Sequence, residues 1–423
     1  MYLNVVGTSD AVEWLRRIPD NSIDSCVTDS PYGLGKAPDP FEVMTAWAAG
    51  RDYEPKGSGF MEKEWDAFVP QPALWREVQR VVKPGGYVLS FFGTRTYDWG
   101  VMAMRFANLD VLDQLDWLYG TGFPKSLDLS KAVDAYVTGG RSDSKGLKRT
   151  NDEIREGEGR QRATTSNRGI LGEDAGPRTI RDEPATPEGA RWKGWGTALK
   201  PAHEPVALCR VPSDRTYAEN VLEHGVGGLN IDASRIGERW PTNLLMDQDV
   251  AEALGQVNRY FYAVKTPTEE KWFYCRACKT VGQRSEEKRH LKDKHTLIIH
   301  PTQKPLVLME YLIKLVTPPG GVVLDPFCGT GTTAVAAKRN GFDYVTCDLD
   351  PDYVQIAQTR IAATSVSADN RSAFGKGATM CPHCKAQGNI TLVERSTVER
   401  SLSTGRKITC VQCLKRFKAE ELV

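Results

Sequence analysis

The 423-residue chain contains no long apolar run and carries almost no net charge. Because a membrane-spanning helix needs about 20 apolar residues, we expect no transmembrane segment and no membrane partner. The first residues, Met-Tyr-Leu-Asn-Val-Val, lack a basic stretch followed by an apolar core, so we expect no secretory leader and a cytoplasmic protein. The formal net charge of +1 excludes a globally basic nucleic-acid binder, and any such contact must come from local patches.

The cysteine spacing argues against a secreted disulfide scaffold, because six of the ten cysteines fall into Cys-x-x-Cys pairs, which are typical of metal sites in an intracellular chain. Cys275 and Cys278 are followed by His290 and His295. This pattern is close to zinc-finger spacing and suits a tetrahedral zinc site over residues 275–295. The alternative is a basic loop with incidental cysteines. Whether the module contacts bases or braces its own loop is left open by the sequence.

Two further pairs lie near the C-terminal end, after a Ser/Ala/Gly-rich linker at 365–378. About 25 residues separate the pairs, which is typical of a zinc ribbon, here over 379–423. The expected ligands are Cys381, Cys384, Cys410 and Cys413. Together the two modules predict two zinc ions per chain, while nucleic acid and a partner protein both remain candidates for the ribbon's contacts.

The stretch Val322 to Thr333 organises the rest of the chain. Three apolar residues run into Asp325, and a loop with Gly329 and Gly331 leads into a helix. Such a strand, loop and helix unit lets a ligand approach the backbone at the glycines. The next strand, Tyr344 to Asp348, ends in a carboxylate that can hold a ribose diol. Since the spacing departs from G-x-G-x-x-G, a dinucleotide is not the expected ligand.

This loop resembles the S-adenosylmethionine loop of amino-methylating DNA methyltransferases, D-P-F-x-G-x-G-T. Upstream, His300-Pro-Thr-Gln-Lys-Pro305 is similar to the family element H-P-T-x-K-P. Thr28-Asp-Ser-Pro-Tyr-Gly33 is similar to the family's catalytic D-P-P-Y, with serine in place of the first proline. A catalytic motif that precedes the cofactor motif is the permuted, β-type order of the family, and other segments are similar to phage-associated members.

The resemblance covers most of residues 1–364 and implies an α/β fold. We expect a Rossmann-like methyltransferase sheet with helices on both faces, plus an inserted recognition region and small zinc modules. The catalytic half is placed at 1–138 and the cofactor-binding half at 300–364. The region between them, 139–299, is expected to carry target recognition and the first zinc module.

The resemblance also implies roles for particular residues. The catalytic residues are Asp29, Ser30, Pro31 and Tyr32. The residues expected to bind the cofactor, S-adenosyl-L-methionine, are Asp10, Thr302, Lys304, Asp325, Pro326, Phe327, Gly329, Gly331, Thr332 and Asp348. For Asp10 an ordinary helix cap is an equal alternative, and both roles can hold at once.

The chemistry of methylating a base explains the catalytic residue types. An exocyclic amine is a poor nucleophile because its lone pair is delocalised into the ring. Asp29 and the carbonyl of Ser30 can accept its two hydrogens, and Tyr32 can stack on a flipped-out base. Because aspartate leads the motif, the first expectation is adenine N6 in double-stranded DNA, in the setting of restriction and modification. Cytosine N4 and an inactive, zinc-containing nucleic-acid-binding protein are the alternatives; any partner nuclease is unknown.

Overall fold

The computed structural model describes most of the chain. The described residues are 3–57, 59, 64–120, 122, 126–139, 184–264, 272–283, 286–292, 295–300, 302–366, 379–380, 392–393, 408–409 and 416–417. Two compact units are formed, one by Met1–Trp117 with Pro205–Val423 and the other by Leu118–Glu204. Within the described ranges, every helix is too short or too polar to span a bilayer.

The helices and strands follow one another in the alternating pattern of an α/β protein. The helices are α1 (Ala11–Leu15), α2 (Pro40–Ala48), α3 (Pro72–Val81), α4 (Tyr97–Phe106), α5 (Leu129–Val137), α6 (Pro187–Arg191), α7 (Tyr217–His224), α8 (Gln248–Leu254), α9 (Glu287–Lys292), α10 (Leu306–Val316), α11 (Thr332–Arg339) and α12 (Pro351–Ala363). The strands are β1 (Val5–Thr8), β2 (Ile23–Asp29), β3 (Val82–Phe91), β4 (Asp110–Leu118), β5 (His203–Arg210), β6 (Leu244–Asp247), β7 (Tyr262–Val264), β8 (Trp272–Cys275), β9 (Thr280–Gln283), β10 (Leu297–Ile299), β11 (Val322–Asp325), β12 (Asp343–Asp348), β13 (Thr379–Met380), β14 (Leu392–Val393), β15 (Ile408–Thr409) and β16 (Arg416–Phe417).

Nine of the described strands form one sheet in the order β1-β12-β11-β2-β3-β5-β4-β6-β7. The strands from β1 to β3 in this order are parallel, and β5 runs antiparallel to β3. From β11 the chain crosses to β12 on one side, whereas from β2 it crosses to β3 on the other side. Ligand crevices in open α/β sheets lie at such a reversal, beyond the carboxyl ends of the strands. The topology therefore directs attention to the ends of β11 and β2.

Apolar residues cover both faces of this sheet. Successive strand residues point to opposite faces, and Cys26 joins a core cluster with α1, α3 and α4 while Val27 joins another with α10 and α11. In β11, Leu324 and Val323 divide in the same way. Helices thus pack on both faces, which confirms the predicted α/β sheet.

The sheet extends beyond the residues predicted for the catalytic core. Strands β5, β6 and β7 come from the region 139–299, so part of that region completes the sheet. They continue the sheet on the far side of β3, where β5 pairs antiparallel through Tyr87↔Arg210 to Phe91↔Val206. The recognition role of the region and the other domain boundaries stay predictions.

The second unit contains α5 and α6, which are held together by one carboxylate. Asp134 accepts hydrogen bonds from the backbone nitrogens of Ala185 (2.8 Å) and Thr186 (3.0 Å). The Thr186 hydroxyl donates to it at 2.6 Å. That hydroxyl and the Ala185 N–H lower the pKa of Asp134, because they stabilise the ionised form.

Candidate functional site

Three neighbouring parallel strands end in aspartate. Asp348 ends β12, Asp325 ends β11 and Asp29 ends β2. These strands are adjacent in the sheet, so the predicted cofactor and catalytic carboxylates lie along one edge. A direct link joins the two halves, because the Thr28 hydroxyl donates to Asp325 Oδ1 at 2.6 Å.

Asp325 is almost completely buried. Besides Thr28, the backbone nitrogen of Phe327 donates to its Oδ1 at 3.1 Å. Burial raises the pKa of Asp325 from 3.8 to about 6, although hydrogen bonds from the Thr28 and Thr333 side chains lower it. Asp325 therefore ties the end of β11 to β2 and to the start of its own loop.

Asp348 holds the glycine loop from the neighbouring strand. Its Oδ2 accepts from the backbone nitrogen of Gly329 at 2.8 Å, and its Oδ1 accepts from that of Asp350 at 2.9 Å. Burial raises its pKa, while these backbone N–H groups lower it. Because an ionised carboxylate has about four lone-pair sites, Asp348 keeps acceptor capacity for a ribose hydroxyl.

The glycines of the loop have a structural reason in addition to the ligand approach that the sequence predicts. Gly329 and Gly331 adopt φ values of +50° and +79°, a region that favours glycine. A Cβ at Gly329 would lie 3.0 Å from His300 Nε2, and one at Gly331 would lie 2.7 Å from the Cβ of Ala357. The protein's own side chains therefore already crowd these glycines.

A buried arginine, which the sequence interpretation missed, supports the same loop. Arg360 on α12 donates from Nη1 to the carbonyl of Thr330 (2.6 Å), to the Thr330 hydroxyl (3.0 Å) and to the Thr332 hydroxyl (3.2 Å). The signal was present: Tyr353, Ala357 and Arg360 recur at helical spacing on a buried face of α12. Two other predicted loop residues lie nearby in the chain: Pro326 is buried and Phe327 is half-buried.

The His-Pro-Thr-Gln-Lys element reaches both halves of the crevice. The Thr330 hydroxyl donates to Gln303 Oε1 at 3.1 Å, so Gln303 contacts the loop although it was not predicted. Thr302 is exposed, and its backbone nitrogen donates to His300 Nδ1 at 3.3 Å. Burial, followed by the charge of Lys304, lowers the pKa of His300 from 6.5 to about 4. His300 is thus a neutral imidazole at neutral pH.

Lys304 lies beside Asp29, the predicted catalytic aspartate. Its Nζ donates to Asp29 Oδ2 at 2.7 Å, and it sits 5.2 Å from the ring centroid of Tyr32 and 5.1 Å from that of Phe91. Asp29 Oδ1 is buried and, among the described residues, has no hydrogen-bond partner. One oxygen of the carboxylate is therefore anchored and the other has an unused acceptor site.

The rest of the catalytic loop is tied to the protein. The Ser30 hydroxyl donates to the carbonyl of Phe91 at 2.8 Å and receives a hydrogen bond from Ser90 at 3.0 Å. Asp66, also missed in the sequence, accepts from the backbone nitrogen of Gly33 at 2.9 Å. Pro31 and Tyr32 between these anchors are half-buried. The anchors replace the rigidity that a proline at position 30 would supply.

Asp10 follows β1, the strand at the edge of the sheet next to β12. It caps α1 by accepting from the backbone nitrogens of Val12 (2.9 Å) and Glu13 (3.1 Å). In the register of the two strands Thr8 lies opposite Asp348, and the Ser9 nitrogen donates to the carbonyl of Asp348. Asp10 is therefore a helix cap close to β12, which is one of the two roles considered for it.

Four predicted metal ligands lie together in a second site. One ligand atom from each of Cys275, Cys278, His290 and His295 lies within 4.8 Å of the others. Cys278 Sγ is 3.5 Å from His290 Nδ1 and 3.2 Å from His295 Nδ1, and Cys275 Sγ is 3.6 Å from the latter. Tetrahedral zinc with Zn–S near 2.3 Å and Zn–N near 2.0 Å separates S and N by about 3.5 Å. The donor set therefore fits zinc. The ribbon cysteines at 381, 384, 410 and 413 lie outside the described residues, so that site stays a prediction.

The comparisons with known proteins bear on the first site. Residues 23–359, which include β2, β11, β12 and most of α12, match the N6_N4_Mtase family model, described as DNA methylase. The chain belongs to this DNA methylase family. The match spans both the catalytic and the cofactor strands, so the three strand-end aspartates fall within the DNA methylase region.

Two curated type II methyltransferases are similar to parts of this DNA methylase. M2.DpnII of Streptococcus pneumoniae is 47% identical over 64 residues, which are 15% of this chain and 24% of that protein. M.HindIII of Haemophilus influenzae is 29% identical over 175 residues, which are 40% of this chain and 44% of that protein. The chain thus spans less than half the length of these relatives.

Solved methyltransferase structures show only a distant likeness. The PvuII DNA methyltransferase (cytosine-N4-specific) aligns with 87% of this chain and 89% of its own, at a TM-score of 0.44 and 13% identity. The M1.HpyAVI–SAM complex aligns with 84% of this chain and 98% of its own, at a TM-score of 0.38 and 16% identity. Both TM-scores are too low for either likeness to support a conclusion.

Proposed function

We propose that this DNA methylase transfers a methyl group from S-adenosylmethionine to the exocyclic N6 amine of adenine in double-stranded DNA. The observation that carries the proposal is the crevice in which Asp348, Asp325 and Asp29 end three neighbouring strands. The first two support the glycine loop, while Asp29 retains a buried oxygen that has no hydrogen-bond partner in the described part of the chain. A binding loop thus lies next to an acceptor for an amine.

The residues of the crevice fit the cofactor. Asp348 can hold the ribose hydroxyls through its remaining lone pairs, and the half-buried ring of Phe327 offers an apolar surface beside the loop. Asp10, which follows the edge strand, adds a second carboxylate for the adenosine part. The cofactor supplies a methyl group on a positively charged sulfur, which keeps the bonding electron pair as the methyl passes to nitrogen.

Asp29 and its neighbours prepare the base. The free Oδ1 of Asp29 accepts one hydrogen of the exocyclic amine, and the backbone carbonyl of Ser30 accepts the other. These contacts favour a tetrahedral nitrogen whose lone pair is available for attack, and the proton released from nitrogen passes to Asp29 or to water. Tyr32 stacks on the flipped-out base, which is worth about 1–3 kcal/mol. Lys304 holds the other oxygen of Asp29 and so fixes the carboxylate's orientation.

The surroundings of Ser30 favour adenine over cytosine. A serine that leads a Ser-Pro-Pro-Tyr motif would point to cytosine N4. Here the serine takes the second place, is buried, and commits its hydroxyl to Phe91 while accepting from Ser90. The first place belongs to Asp29, whose carboxylate is the group with a free acceptor site.

Three finer features accompany this proposal. The order of β2 before β11 is that of the permuted, β-type enzymes, including phage-associated members. The cluster at Cys275, Cys278, His290 and His295 holds zinc, and the ribbon over 379–423 holds a second ion. A role in restriction and modification with a partner nuclease is consistent with the type II relatives, but no residue on this chain identifies that nuclease.

The test is the identity of the methylated base. Cells that lack DNA methylation express either the full chain or Asp29→Ala, and their DNA is digested to nucleosides and analysed by mass spectrometry. We expect N6-methyladenine only with the unaltered chain. If only N4-methylcytosine appears, the choice of base is wrong. If neither base exceeds the Asp29→Ala control, the enzymatic proposal itself fails.

A further inference from the structure

The Cys/His cluster belongs to a small module that packs on the cofactor side of the crevice. Strands β10, β8 and β9 form its three-stranded sheet, and α9 adds His290. Cys275 ends β8 and Thr280 begins β9, so Cys278 lies in the tight turn between them, where Lys279 has a φ of +53°. Both β8 and β9 pack against α12, the helix that carries Arg360. The module therefore touches the element that supports the glycine loop.

The first link from the metal turn to the cofactor strand is an ion pair. Arg276, between the two cysteine ligands, donates from Nε (2.9 Å) and Nη2 (2.5 Å) to Asp352 Oδ2. Asp352 lies in the first turn of α12, and its backbone nitrogen donates to the helix cap Asp350 at 2.9 Å. The backbone nitrogen of Asp350 in turn donates to Asp348. A short series of contacts thus runs from the turn to the proposed ribose ligand.

The second link is β10 itself. The ligand His295 precedes this three-residue strand, and Leu297 pairs with the ligand Cys275. His300 follows the strand directly. Three residues in extended conformation span about 10 Å, so His300 lies about that far from Leu297. A Cβ added at Gly329 would lie 3.0 Å from Nε2 of His300. The ring centroid of His300 lies 4.9 Å from that of Tyr353 on α12. One end of β10 is held by the cluster and the other contacts the glycine loop.

We propose that a zinc ion at Cys275, Cys278, His290 and His295 braces the cofactor crevice, so that loss of the metal weakens binding of S-adenosylmethionine. The ion orders the module, and the module positions α12 through Arg276 and the glycine loop through His300. The inference rests on the proposed function, because it assigns S-adenosylmethionine to the crevice. It adds a third role to the two that the sequence left open, since the module's contacts lead to the cofactor loop.

The test compares two cysteine variants of the full-length protein. Cys278→Ser removes an exposed ligand from the module, whereas Cys410→Ser removes a predicted ribbon ligand. Zinc content is measured by elemental analysis, S-adenosylmethionine affinity by calorimetry, and retention of the fold by circular dichroism. We expect the dissociation constant to rise at least about tenfold in Cys278→Ser and to stay unchanged in Cys410→Ser. Equal affinity in the two variants overturns the proposal.

A second comparison keeps the metal and breaks only the link. Arg276→Gln should retain zinc but bind S-adenosylmethionine about threefold more weakly, because the partly exposed ion pair contributes little by itself. Its control is Arg215→Gln, which breaks the ion pair with Glu223 on α7 and should leave zinc content and S-adenosylmethionine affinity unchanged. If Arg276→Gln equals this control, the role given to the ion pair is wrong.

The affinity measurements also distinguish a failure of the zinc brace from a failure of the proposed function. If the unaltered, zinc-loaded protein fails to bind S-adenosylmethionine, the proposed function fails. If it binds and Cys278→Ser binds equally well, only the brace fails. Loss of DNA affinity in Cys278→Ser with unchanged S-adenosylmethionine affinity would show a DNA-reading module and overturn the brace.

Discussion

Asp29 and Asp325 end adjacent parallel strands but meet very different surroundings. Asp325 is 2% exposed, accepts from Thr28 and Phe327, and has a raised pKa because of its burial. Asp29 binds Lys304 through one oxygen, and the residues that the structure describes offer no hydrogen-bond partner for the other. The same residue type at the same place in a strand thus links parts of the fold in one case and leaves an acceptor oxygen available in the other.

Asp348 stands between these extremes. Both of its oxygens accept from backbone nitrogens, yet a carboxylate offers about four lone-pair sites, so Asp348 can support the loop and bind a ligand at once. The comparison of Asp29, Asp348 and Asp325 therefore predicts three distinct phenotypes, namely loss of chemistry, loss of binding and altered stability.

The largest effect is expected for Asp29→Ala. Without its acceptor the amine stays planar, so the rate of methyl transfer should fall about 10²–10⁴-fold. Affinity for S-adenosylmethionine should stay unchanged, because Asp29 is not among the residues proposed to bind it. Single-turnover transfer to unmethylated genomic DNA and calorimetry measure the two quantities. The matched control is Asp214→Ala, which removes an exposed carboxylate between β5 and α7. A variant at Asp29 with full turnover would refute the catalytic assignment.

Asp348→Ala should show the opposite pattern with a smaller magnitude. It removes the proposed ribose acceptor and the anchor of Gly329. Hydrogen bonds to charged groups contribute about 1.5–3 kcal/mol, so the dissociation constant for S-adenosylmethionine should rise about 10- to 100-fold. At saturating cofactor, the rate of transfer should recover most of its value. Asp348→Asn, which keeps one acceptor oxygen, should lie between. Unaltered affinity in the alanine variant would remove Asp348 from the cofactor site.

The smallest effect concerns the pH dependence of stability. Because the pKa of Asp325 is raised to about 6 on folding, the folded chain holds a proton that the unfolded chain has lost, and stability falls as pH rises from about 4 to about 6. The pKa of His300 is lowered to about 4, so its contribution to the free energy of unfolding increases as pH rises over nearly the same range. The two contributions oppose each other in the unaltered protein.

Single variants should expose each contribution. Asp325→Asn leaves the His300 contribution, so the free energy of unfolding should increase from pH 4 to pH 6, by about 2 kcal/mol. His300→Asn leaves the Asp325 contribution, and the same quantity should decrease. Urea denaturation at pH 4, 5 and 6 measures both. Parallel profiles in the two variants would contradict the opposing assignment.

The central strands were predictable because their signals are local. In β2, β11 and β12 a short stretch of mostly buried residues ends at an aspartate, and the predicted strand limits differ from those observed by at most a residue or two. The predicted ligands Cys275, Cys278, His290 and His295 span only 20 positions, so their spacing sufficed to predict that they meet. The start of β3 is less easily predicted: Lys83-Pro-Gly-Gly86 is typical of a turn, yet the strand begins at Val82, which pairs with Ile23 before a register shift.

The supporting residues could not be read from local patterns. Asp66 reaches Gly33 over 33 positions, and Arg360 reaches Thr330 over 30. Whether a buried arginine caps a loop or pairs with an acid depends on how its helix packs, which spacing does not encode. Likewise, the close approach of His300 to Gly329 depends on how distant segments pack, so the sequence alone indicated only the ligand's reason for this glycine.

The hydrogen bond between Thr28 and Asp325 joins residues 297 positions apart, and this has a consequence for how the protein is made. At about 5–20 residues per second, the ribosome needs about 15–60 s to supply the partner strand. During that interval β2, which is buried in the finished fold, has no β11 beside it. Pairing of such distant segments is intrinsically slow and leaves the nascent chain prone to aggregation. The crevice therefore matures only late in synthesis, and premature termination before β11 yields a chain without a cofactor site.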